Sequence, residues 1–70
     1  MEEHRVKIMK VIQANTEYAN RPNSVDKAGC AIHTALLWKI VEAIDSNDTN
    51  AYDLAHEELS RWVNHRRMFG

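Results

Sequence analysis

The chain has 70 residues, 27% of them charged, with nine Lys or Arg against ten Asp or Glu and a net charge of −1. That length predicts a single domain, and the near-neutral balance argues against a generic binder of polyanions. The single cysteine, Cys30, excludes an internal disulfide and fits a reducing compartment.

The pattern predicts one all-α domain over residues 1–70. Pro22, Gly29 and Gly70 are the only helix-breaking residue types. Polar punctuation falls twice, at Asn20-Arg21-Pro22-Asn23-Ser24 and at Asp45-Ser46-Asn47-Asp48-Thr49-Asn50. A first helix is predicted over 3–19, with Ile8, Ile12 and Ala19 on one line and Val11 and Tyr18 beside it. Lys7, Lys10, Gln13 and Glu17 occupy its wet side, and Asn15, inside the apolar arc, is expected to be hydrogen-bonded. Pro22 disfavours helix at Arg21 and helps end this segment.

A second helix is predicted over 24–45. From Ala28 to Ile44 it is almost continuously apolar, interrupted by charge only at Lys39 and Glu42. One stripe holds Val25, Gly29, Ile32, Leu36, Ile40 and Ala43, and a second holds Cys30, Leu37, Val41 and Ile44. Two stripes seat two neighbouring helices. Ala28, Ala31, Ala35 and Trp38 are left over on the back. A third helix is predicted over 51–68, with Tyr52, Ala55, Leu59, Trp62, Val63 and Phe69 on its stripe. Asn23 with Asp26, and Asn50 with Asp53, suggest Asn N-caps backed by an acid at the third helical position. Matched lengths and short connections predict a compact up-down-up three-helix bundle. A domain of this size buries only about 60% of its unfolded surface and often leans on a second subunit, so a dimer is expected.

No residue set points to catalysis. The histidines His4, His33, His56 and His65 form no pair three or four apart, so no helical metal site is expected. His56-Glu57-Glu58 lacks the second histidine of a zinc-protease helix. Glu57 and Glu58 point about 100° apart and cannot share a reacting atom, but either can pair with Arg61. Cys30 is expected to be a small buried hydrophobe, and His33 to border the core beside a hydrogen-bond partner. There is no glycine-rich phosphate loop, and so small a bundle is expected to leave little room for a ligand pocket. No catalytic residue, cofactor or metal is expected.

Six acids and no Lys or Arg lie between Glu42 and Glu58, and Arg61, His65, Arg66 and Arg67 follow. The helix dipole accounts for that asymmetry, acids at the start and bases at the end. The start, Met1-Glu2-Glu3-His4-Arg5, lacks an apolar leader, and no apolar run reaches the ~20 residues of a membrane span. A cytoplasmic protein with no membrane contact is the expectation. The size and motif-free style suit a bacterial or phage accessory protein. The functional expectation is a small non-enzymatic protein-binding module, an adaptor, inhibitor or regulator of another protein. It is expected to self-associate through the second helix. Its contact residues are expected to be Ala28, Ala31, Ala35 and Trp38, with Leu54, Arg61 and Met68 on the outer edge of the third helix. The alternative is a nucleic-acid binder using Arg61, His65, Arg66 and Arg67.

Overall fold

The computed structural model describes residues 2–69. Three helices hold nearly all of them: α1 (Glu2–Ala19), α2 (Lys27–Asp45) and α3 (Thr49–Phe69). The side chain of Phe69 lies outside what is described. The order is the expected up-down-up bundle. Arg5 of α1 meets Asp45 at the end of α2, and Asn15 meets His33 one level down. Lys39 of α2 meets Glu58 of α3. α2 packs against both neighbours, whereas among the described residues no Cα of α1 comes within 8 Å of one in α3. The molecule is accordingly flattened, 38 × 25 × 15 Å.

The core follows from that arrangement. Ile8 and Ile12 of α1, Leu36, Leu37, Ile40, Val41 and Ala43 of α2, and Ala55 of α3 are buried. Five of these eight belong to the central helix. Ile40 and Val41 retain only 1% of their surface. Met9, Ile44, Tyr52 and Leu59 close the edges. Ile32, on the expected inward stripe, is instead 47% exposed, and Val25 lies before the helix begins. Only the arc of α2 between its two neighbours is covered, and Ile32 falls outside it.

The helix starts differ from the Asn caps expected at 23 and 50. Asp26 caps α2 and Asp48 caps α3, each carboxylate accepting from the backbone amide three residues on: Gly29 N at 3.1 Å and Ala51 N at 3.0 Å. A carboxylate adds favourable charge at the positive helix end, which an amide cannot. α2 therefore starts at Lys27 rather than 24, and α3 at Thr49 rather than 51. Residues before Asp26 are drawn into a separate turn, where the Val25 amide donates to the Tyr18 hydroxyl at 3.2 Å. Asp26 itself sits in the left-handed region at φ 57°, which Asp tolerates better than most residues. At the other turn, Asn47 takes φ 54°, the Asn47 amide donates to Ile44 O, and the Asp48 amide donates to Ala43 O. That pair of bonds is a Schellman stop. Asp48 thus ends one helix with its amide and starts the next with its carboxylate.

Because burial rather than residue type decides the cost of truncation, Ile40→Ala is expected to destabilise the fold by about 2–5 kcal/mol and Ile32→Ala by less than half as much. Urea unfolding of both variants checks this; equal losses would show that the two faces of α2 are equally covered.

Candidate functional site

The outward side of α2 is the surface that neither neighbour covers. Ala28, Ala31, Ala35 and Trp38 are all exposed, Trp38 to 42%. Two open grooves flank this ridge. The first, of about 380 Å³, runs between α1 and α2 and is lined by Thr16, Ala19, Cys30, Ala31, Ala35 and Trp38 among others. Cys30 is consequently half-buried in a groove wall rather than enclosed in the core. The second groove, of about 400 Å³, runs between α2 and α3, with Ala43, Ala51 and Ala55 on its floor and Lys39, Glu42 and Glu58 on its rim. Both exceed the room expected of so small a bundle, because α2 stands between two helices that do not close over it.

Leu54, 67% exposed, lines the second groove and so lies on the same side as Trp38. Arg61 and Met68 continue its edge of α3 at seven-residue spacing, and Met68 is 75% exposed. Arg61 pairs with Glu57 one turn back, and Glu58 turns instead to Lys39 at 3.1 Å. Leu54 thus borders the α2–α3 groove, and the Lys39–Glu58 and His33–Trp62 contacts set Arg61 about level with Ala35 and Met68 about level with Ala28.

The opposite end of the bundle holds a network that no single-helix pattern revealed. Asn15 Nδ2 lies 2.9 Å from His33 Nδ1. The His33 ring stacks on Trp62 at 5.4 Å between centroids and 16° between planes. The Arg66 guanidinium lies 5.1 Å from the Trp62 ring centroid and pairs with Asp26, the cap of α2. Gly29 is buried beneath this pair, and a Cβ there would run into the Asp26 carboxylate and the Arg66 guanidinium. All three helices therefore meet at His33. With Asn15 donating, Nδ1 is the acceptor and the ring proton sits on Nε2. Burial pushes the His33 pKa below the usual 6.5 by disfavouring its charged form. Asn15 and His33 are each bonded as the sequence suggested.

At the other end, Tyr52 donates or accepts with His4 Nε2 at 2.9 Å and stacks on His56 at 6.0 Å. Arg5 and Asp45 are bidentately joined at 2.8 and 3.3 Å, and that bond raises the Arg5 pKa further. Among the described residues no group of three His, Cys, Asp or Glu could hold a metal ion, and no helix is long and apolar enough to cross a membrane.

The arginines considered for nucleic acid are not a continuous stripe. Arg61 is joined to Glu57 and Arg66 to Asp26, so two of the three spend their charge inside the molecule. Charge is nevertheless polarised along the long axis. The half with the α2–α3 turn, residues 2–9 and 39–56, carries six acids and three bases. The other half, residues 10–38 and 57–69, carries six bases and four acids. Comparison of the chain with protein families, with characterised proteins and with solved structures returns no match.

The His33 site gives a signed pH dependence. The unfolded chain takes up a proton near pH 6.5 that folded His33 resists, so this contribution to stability is complete above pH 6.5 and declines as pH falls below it. Urea midpoints at pH 7.5 and 5.5 are expected to drop less in His33→Gln than in the wild type; an identical drop would show that His33 titrates as it does in the unfolded chain.

Proposed function

We propose that this chain is a small non-enzymatic helical binding module, an adaptor, inhibitor or regulator, whose working surface is the outward side of α2. We propose further that it self-associates through that surface. The observation that carries the reading is Trp38, a large aromatic 42% exposed in a row of alanines on the most apolar helix of the molecule. Small residues let another backbone approach closely, and exposed Trp is the residue type most enriched among the anchors of protein interfaces. Leu54 extends the apolar area across the α2–α3 groove.

The two tryptophans separate the roles. Trp38→Ala is expected to weaken self-association on the order of tenfold while lowering the unfolding midpoint less than Trp62→Ala does. Trp62→Ala, which removes the ring between His33 and Arg66, is expected to act mainly on the midpoint. Sedimentation equilibrium and urea unfolding of both variants provide the check. A wild-type chain that stays monomeric at millimolar concentration, or a Trp38→Ala chain that associates like the wild type, overturns the self-association reading.

A further inference from the structure

We infer that the partner on α2 is a second copy of this chain lying antiparallel to the first, with a two-fold axis passing beside Ala35. The inference rests on the proposed self-association and adds its orientation, register and charge logic. Three observations converge on it.

The first is shape. On the outward side of α2, the small residues Ala28, Ala31 and Ala35 occupy the first half and the large Trp38 lies beyond them. A parallel pair would set indole against indole and alanine against alanine, propping the helices apart at one end and leaving a gap at the other. An antiparallel pair centred at Ala35, which lies near the middle of Lys27–Asp45, sets each Trp38 opposite Ala31 and Ile32 of the other copy. Ile32 is 47% exposed within its own chain, so a partner can cover more of it. The indole then fills the space over Ala31 and lies against Ile32, so neither end of the contact is propped apart by paired indoles.

The second is charge. The half of the molecule around the α2–α3 turn is acidic and the other half is basic. Antiparallel pairing lays acid beside base at both ends, whereas parallel pairing lays like beside like and aligns the two α2 dipoles. The same register puts Glu42 of one copy level with Ala28 and next to Lys27 of the other, and both charged residues are exposed. The third is symmetry: a two-fold contact uses one patch twice, and this patch carries both an acid and a base to complement itself.

The test uses the full chain with Cys30→Ser to remove the native thiol. Ala28→Cys and Glu42→Cys chains are mixed in equal amounts and joined with a short bismaleimide. The expected result is a 28–42 cross-link in at least severalfold excess over 28–28 and 42–42, and efficient self-linking of Ala35→Cys. Preferential 28–28 and 42–42 products, or yields that do not depend on position, overturn the orientation. Sedimentation of the uncross-linked Cys30→Ser chain separates the two claims: a dimer with the wrong pattern sinks only the orientation, and a monomer sinks the self-association beneath it. Charge reversal gives an independent reading. Glu42→Lys and Lys27→Glu each weaken the dimer severalfold, and the double variant restores it; a double variant as weak as the two singles combined contradicts the register.

Discussion

The structure depends on one helix being shared. α2 supplies five of the eight buried hydrophobic residues, and both other helices pack on it, while α1 and α3 meet side chain to side chain at His4 and Tyr52. In a closed bundle each helix would bury one stripe against two partners. Here the central helix buries two adjacent stripes, and its remaining arc faces water. The 15 Å thickness of the molecule is the geometric result. Apolar burial at roughly 25 cal/mol per Å² holds the three helices together, but it acts only on the arc that is covered. Trp38 and Ile32, 42% and 47% exposed, get only part of it in a single chain.

The polar contacts set the register that burial alone would leave loose. Arg5 with Asp45, Asn15 with His33, Lys39 with Glu58 and Asp26 with Arg66 act at successive levels between paired helices. The three ion pairs among them are exposed and contribute at most about 1 kcal/mol each. Their value lies in position: a one-residue slide of either outer helix would break several at once. Asp26 is the most connected of these residues. One carboxylate oxygen caps α2, the other holds Arg66, and Gly29 leaves the room both require.

Much of this was legible in the residues. The apolar periodicity located three helices, and the excess of apolar positions on the middle one pointed to a face that two neighbours would not hide. The terminal details were not legible, because Asn23, Ser24 and Asp26 all have capping side chains. The choice of Asp26 depends on a turn tied by the Tyr18 hydroxyl and on an arginine forty residues away. The fate of Ile32 was equally hidden: periodicity sets which positions share a stripe, but not how far round a neighbour reaches. His33 with Trp62 could have been found by placing the α2–α3 turn first and reading residues equidistant from it as neighbours. No local pattern marks them.

The central claim is that the Trp38 face is unsatisfied in one chain and satisfied by another. The most direct measurement is the emission of Trp38 alone, in a Trp62→Phe chain, as protein concentration rises from nanomolar to millimolar. The account requires red-shifted, solvent-quenched emission in dilute solution that moves to the blue in a single transition, at the concentrations where sedimentation shows pairing. Emission that is already blue at the lowest concentration, or red and constant throughout, would contradict it.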